Sequence, residues 1–230
     1  MDKTHIPLPP LPSEGFLNSI DAVVLDLGGV IVNLDFKITF NSFLPYVSAP
    51  RIIQDLRCGH WPAQVYQYER GEISTITFRQ QMRETLNISS KAIPDKEFDQ
   101  YWCALILEIP IFRLEYLIRL RSKLHQSGKR LLLLSNTNEL HASATLSLLP
   151  SSRQEWFYYF DHAYLSYQMG CRKPEADIFQ KLLDSEGLEP ARTFFIDDLS
   201  KNVEAAKSMG IQTETLNIAS EDFTQLLARH

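Results

Sequence analysis

Apolar positions along the 230-residue chain fall into two patterns. Three short runs are apolar almost without interruption: "AVVLDL" from Ala22, "RLLLLSNT" over 130–137 and "RTFFIDD" over 192–198. Continuous runs of this length predict strands covered on both faces, the habit of a parallel sheet. Between and after them the spacing turns helical. "FRLEYLIRLRSKLHQSG" sets Leu114, Leu117, Leu120, Arg121 and Leu124 near helical spacing and stops at Gly128, a left-handed end. "KPEADIFQKLLDSEG" opens with Pro174 in a first-turn position and stops at Gly187. "LSKNVEAAKSMG" offers Ser200 as a cap and Gly210 as an end, and "IQTETL" reads as a further strand. Strand and helix in alternation predict an α/β fold: a Rossmann-like, doubly wound parallel sheet. Ligands of such sheets bind beyond the carboxyl ends of the strands. The residues that close each strand therefore matter most: Asp26, Ser135 with Asn136, and Asp197 with Asp198.

Residues 37–110 break the alternation. "SFLPYV", "PRIIQDLRCGHWPAQVYQYERG", "STITFRQQMRETL" and "DKEFDQYWCALILEIP" read as helices, with Ser74 and Asp95 as caps and Phe78, Met82 and Leu86 on one face. No strand-like run separates them, and Pro110 closes the block. This predicts a small helical cap over 37–110, inserted after the first strand. The catalytic core then takes residues 21–36 and 111–230. Phe40, Trp61, Tyr66, Tyr68 and Trp102 are expected as packing within the cap. The opening "IPLPPLP" favours extended geometry, so residues 1–20 are expected as a loose, flexible leader.

Composition removes several classes of function. A net charge of -5 gives no basic footprint for nucleic acid. No apolar run reaches the length of a membrane span, and the first residues lack the apolar block of a secretory signal. Cys58, Cys103 and Cys171 lie far apart and make no metal-ligand pair; reduced thiols and a cytoplasmic location are expected.

Taken singly, each strand-end residue reads as a turn or cap. Together they predict a site. Parallel strands bring Asp26, Asp197 and Asp198 to one edge, where carboxylates repel unless a cation stands among them. An all-oxygen set with one or two carboxylates suits Mg²⁺. Lys173 with small hydroxyl and amide groups completes a phosphate-sized pocket. A carboxylate can attack a phosphoryl group, with cationic groups stabilising the transferring oxygens. Glycine after the nucleophile lets the backbone turn close to a ligand.

The set "VVLDLGGV", "LLLLSNTN", "CRKPEADIF" and "FFIDDLSKN" resembles, in order and spacing, the haloacid dehalogenase superfamily with a helical cap after its first strand. "DLGGVIVNLD", "YERGEIS", "SNTNELH" and "RKPE" resemble a bacterial subgroup that includes the α-D-glucose-1-phosphate phosphatase. The resemblance implies a Mg²⁺-dependent phosphatase acting on a small phosphorylated metabolite, such as a sugar phosphate. It makes Asp26 the nucleophile, Ser135 and the Asn136 backbone the phosphate cradle, and Lys173 the neutralising cation. It sets Asp198 on Mg²⁺ beside Asp26 and the Gly28 carbonyl, with Asp197 at or just outside the metal and Asn202 supporting the loop. Specificity is expected in the cap, at His60, Trp61, Glu69 and Arg70. The chain departs from the family at Gly28, where most of its phosphatases carry an aspartate as general acid and base. That acid is commonly worth about 10² to 10⁴ in rate, least for acidic leaving groups such as anomeric, aryl and acyl phosphates. Two other readings stay open: a dehalogenase-like hydrolase using the same Asp26, and a catalytically weak phosphate-binding protein.

Overall fold

The computed structural model describes residues 7–47 and 50–230. Five parallel strands make the central sheet: β1 (Ala22–Leu25), β4 (Arg130–Ser135), β5 (His162–Leu165), β6 (Thr193–Asp197) and β7 (Gln212–Thr215). Their order is β5-β4-β1-β6-β7, with β1 between β4 and β6. Alternate residues explain the continuous apolar runs. Val23, Leu25, Leu131, Leu133, Phe194 and Ile196 enter one core cluster, built with α1 (Glu14–Ser19), α7 (Ile111–Gln126) and α12 (Phe223–Leu227). Ala22, Val24, Leu132, Leu134 and Phe195 enter another, built with α10 (Ala176–Glu186) and α11 (Ser200–Ser208). A strand buried on both faces needs apolar residues at every position. The result is the doubly wound α/β sheet that the sequence predicts.

Five helices follow β1: α2 (Phe36–Phe43), α3 (Pro50–Arg57), α4 (Ala63–Glu69), α5 (Thr75–Leu86) and α6 (Asp95–Cys103). They enclose a separate hydrophobic cluster that includes Phe40, Phe43, Phe78, Met82, Phe98 and Trp102. Ser74 caps α5 by accepting from the Thr77 amide at 3.2 Å. A two-stranded antiparallel ribbon, β2 (Asn33–Leu34) with β3 (Ile106–Glu108), carries the chain into and out of these helices.

Several local expectations are corrected. The leader is held down from Pro10: Leu17 and Ile20 are buried in the core, Ser13 caps α1, and the Tyr116 hydroxyl donates to the Pro10 carbonyl at 3.2 Å. Residues 1–6 of the expected leader lie outside the described residues. Asp95 does not cap α6, because Pro94 takes that place and Asp95 falls in the first turn, paired with Arg83 at 2.8 Å. Ser200 is likewise inside α11, whose cap position belongs to Leu199. Pro174 precedes the cap residue of α10, Glu175. β2 and β5 carry no continuous apolar run and are only partly buried, whereas β3 falls within "CALILEIP", which reads as the end of a helix; α6 instead stops at Cys103 and the chain enters the ribbon with β2. The remaining two helices, α8 (Glu139–Leu146) and α9 (Ser166–Met169), follow β4 and β5.

Candidate active site

The carboxyl ends of β1, β4 and β6 meet at one edge, as parallel register requires. Asp26 stands one residue beyond β1, its amide donating to the Ile196 carbonyl at 3.0 Å. Asp197 ends β6, and Asp198 follows. Carboxylate oxygens of the three lie within 4.8 Å of one another. Lys173 reaches between them from the loop before α10. Its ammonium donates to Asp26 Oδ1 at 2.6 Å, to Asp197 Oδ2 at 2.7 Å and to the Leu134 carbonyl at 2.7 Å. With 1% of its surface exposed, Lys173 has all three donors engaged. Asn136 fixes its backbone from both sides: Nδ2 donates to the Lys173 carbonyl and Oδ1 accepts from the Lys173 amide, each at 2.8 Å. Ser135 is buried at the end of β4, one residue behind Asn136.

Asp197 is fully buried and saturated. Besides Lys173 it accepts from the Leu199 amide at 2.8 Å and from Asn202 Nδ2, 3.0 Å from each of its oxygens. Burial pushes the Asp26 carboxyl up to about 7, against the pull of Lys173 and with the help of Asp197 and Asp198. Burial and then Asp197 push Asp198 up to about 6. Burial alone lowers Lys173, but Asp197 and Asp26 outweigh it and hold the ammonium above its ordinary value. Crowded carboxylates displaced upward, an all-oxygen donor set and the buried, unpartnered Oδ1 of Asn202 are the features of a site that accepts a small hard cation. The residues present fit Mg²⁺.

The two glycines after Asp26 have different reasons. Gly29 lies at φ +83°, and a Cβ there would stand 2.5 Å from Asp198 Oδ2. Only glycine permits both the left-handed backbone and so close a carboxylate. Gly28 has no such backbone. A Cβ on it would meet Leu34 Cδ1 at 2.8 Å, so the Leu34 side chain fills the space beside position 28.

A cavity of about 470 Å³ opens between these residues and the helices that follow β2. Asp26, Gly28, Asn136, Lys173, Asp198 and Asn202 line one end. Of the four residues expected to set specificity, Trp61 and Glu69 line the cavity; His60 and Arg70 do not. His60 is exposed in the turn before α4, and Arg70 turns away to pair with Glu175, its Nε donating at 2.9 Å. Glu69 pairs with Arg172 at 2.6 Å, and the Arg172 guanidinium lies 4.7 Å from the Tyr66 ring centroid. Burial raises Glu69, while Arg172 opposes it. Gly71, in the same turn, is at φ +67° against the Tyr167 carbonyl, where a Cβ has no room.

A family model of haloacid dehalogenase-like hydrolases matches residues 20–210. The chain belongs to the haloacid dehalogenase-like hydrolases. D-ribitol-5-phosphate phosphatase of Bacteroides thetaiotaomicron is 31% identical over 197 residues, covering 84% of this chain and 90% of that protein. A HAD family enzyme from B. thetaiotaomicron, crystallised with magnesium and inorganic phosphate, matches with a TM-score of 0.75 at 32% identity, over 90% of this chain and 98% of that one. A HAD-like family hydrolase from Porphyromonas gingivalis matches with a TM-score of 0.77 at 28% identity, over 92% and 97% of the two chains. Among the described residues of this hydrolase, no helix is long and apolar enough to cross a membrane.

Some residues of this haloacid dehalogenase-like site escaped the sequence reading. Arg172 and Glu175 flank Lys173 and Pro174 in "CRKPE", where neighbouring charges signalled a surface rather than two bridges to α4 and its turn. Leu34 gave no signal, because an apolar residue after "VIVN" reads as core. His141 closes "SNTNELH" but was given no role there. Its ring stacks on Trp102 at 5.3 Å between centroids, and burial lowers it to about 4, so it stays neutral.

Proposed function

We propose that this chain is a Mg²⁺-dependent phosphatase that hydrolyses a small phosphorylated metabolite through an aspartyl-phosphate on Asp26. The observation that carries the reading is the Lys173 ammonium held between Asp26 and Asp197 at the end of the cavity, with Asp198 alongside. The relative that acts on D-ribitol-5-phosphate, and the similar structure holding magnesium and phosphate, support the same class of reaction.

Asp26 attacks the phosphorus, the bond from phosphorus to the ester oxygen breaks, and that oxygen leaves with the electron pair. Water then attacks the phosphorus of the aspartyl-phosphate, which restores Asp26 and releases inorganic phosphate. Lys173 acts by charge: its hydrogen bonds are spent on Asp26, Asp197 and Leu134, so it favours the ionised form of Asp26 rather than gripping the phosphate directly. Ser135 and the Asn136 backbone form the phosphate cradle, and Asn136 also fixes Lys173. Asp26, Asp198 and the Gly28 carbonyl hold Mg²⁺, while Asp197 and Asn202 stand behind them. Bound there, the ion supplies Lewis-acid stabilisation of the transferring oxygens. Residues 37–110 act as a cap over the core.

Release of phosphate from p-nitrophenyl phosphate, with Mg²⁺ and with chelator, tests the reading. Turnover that requires Mg²⁺ and disappears in Asp26→Asn is expected. Undiminished turnover in Asp26→Asn overturns it. The dehalogenase reading predicts metal-independent halide release from a 2-haloacid, and it leaves Asp198 without a role.

A further inference from the structure

Resting on the phosphatase reading, we propose that the cavity selects aryl phosphates: esters whose leaving oxygen sits directly on an apolar aromatic ring. The first ground is the wall that faces the reacting edge. Phe36, Phe40, Trp61 and Trp102 line it together with Leu34 and Leu105. The rings are contiguous: Trp61 lies 5.9 Å from Phe36, 5.6 Å from Phe40 and 6.4 Å from Trp102 between centroids. Phe36 is 45% exposed and Leu199 47% exposed, although both line the cavity, so the apolar surface continues to its mouth.

The second ground is the state of the polar groups on the same wall. Glu69 is bound to Arg172, Arg57 to Asn41 at 2.6 Å, and His141 to Asn138 and to the Trp102 carbonyl at 3.1 Å each. Lys201 is exposed. A polyol seated against these rings would find, among the described residues, few free partners beyond the exposed Lys201 and the Tyr66 hydroxyl, and each hydroxyl left unsatisfied costs about 1–3 kcal/mol. Position 28 gives the third ground. No side chain there offers a proton, and Leu34 occupies the space. The leaving oxygen departs as an anion and takes its proton from solvent, which a phenolic oxygen does far more readily than an alkoxide. Ring seat and missing acid thus point to one class of ester, and away from the polyol phosphate of the relative.

The test compares kcat/KM with Mg²⁺ for 2-naphthyl phosphate, ribitol 5-phosphate and acetyl phosphate, which has an acidic leaving group and no ring. Naphthyl phosphate is expected to exceed ribitol 5-phosphate by at least about tenfold. Trp61→Ala is expected to lower the ratio of naphthyl to acetyl phosphate by about tenfold, and the exposed Phe36→Ala gives the same direction should Trp61→Ala not fold. Ribitol 5-phosphate turned over better than naphthyl phosphate overturns the proposal, as does a ratio that neither variant changes. Release of phosphate from none of the three would instead overturn the phosphatase reading beneath it.

Discussion

Two adjacent aspartates, identical in chemistry, hold opposite positions. Asp197 is fully buried with both oxygens occupied, whereas Asp198 is only partly buried and approaches the Gly29 backbone. Asp197→Ala strips the buried Lys173 of one of its two carboxylates, which typically costs about 3–5 kcal/mol. Its thermal midpoint is expected to fall by roughly 10 °C. Asp198→Ala is expected to leave the midpoint near wild type and to raise the Mg²⁺ concentration needed for half-maximal activity. Thermal melts and a Mg²⁺ titration of both variants check this; the reverse order would place the metal on Asp197. Gly28 and Gly29 divide in the same way. The reason for Gly29 is backbone and the crowding of Asp198; the obstacle to a side chain at Gly28 is Leu34 alone. Gly28→Asp combined with Leu34→Ala is therefore expected to flatten the dependence of rate on leaving-group acidity across a series of aryl phosphates. A slope as steep as the wild type's would show that position 28 cannot deliver a proton.

The elements legible in the sequence were those with one unambiguous environment. β1, β4 and β6 are buried on both faces, so their residues had to be apolar throughout, and their closing polar residues stood out. β5 and β7 lie at the two sheet edges: β7 was still legible as "IQTETL", whereas the partly buried β5 and the short ribbon of β2 and β3 give no period to read. The bridges between α4 and the loop before α10 were illegible for another reason: they join residues about a hundred positions apart. Glu69–Arg172 and Arg70–Glu175 tie the end of α4 to the loop that carries Lys173. Two partly exposed pairs are worth about 0.2–1 kcal/mol each, so the double variant Glu69→Gln/Glu175→Gln is expected to raise KM roughly three- to tenfold. Its tryptophan fluorescence should also become easier to quench with acrylamide, since Trp61 and Trp102 line the cavity; unchanged quenching would mean that the bridges do not hold the cavity closed. At the other end of α10, Glu186 meets Arg130 of β4 at 2.6 Å and His162 and Tyr164 of β5 at 2.5 and 2.6 Å. Burial would raise its carboxyl, but Tyr164, His162 and Arg130 together hold it below its ordinary value. A lowered native value contributes stability that is fully present above the ordinary value and is lost as pH falls through the native one. Glu186→Gln is expected to make the acid limb of the thermal midpoint shallower, and an unchanged limb would remove Glu186 from the acid response.

At the scale of the molecule, the topology explains why so much of the site was readable. A parallel sheet collects its strand ends at one edge, so Asp26, Ser135, Asn136, Asp197 and Asp198 were neighbours as soon as the strands were recognised. The helices after β2 obey no such rule. Their own core decides their packing, and the cavity wall is a by-product of how Phe40 and Trp102 are shared between that core and the cleft. This is why Trp61 and Glu69 were found on the cavity and His60 and Arg70 were not. The account rests on a covalent step at Asp26, which one measurement addresses directly. The enzyme is mixed with Mg²⁺ and p-nitrophenyl phosphate, quenched in acid during turnover and reduced with borohydride, which converts an aspartyl-phosphate to homoserine. Peptide mass spectrometry should find homoserine at position 26, only when substrate and Mg²⁺ are both present; phosphate release with an unmodified Asp26, or with the label on another carboxylate, would contradict it.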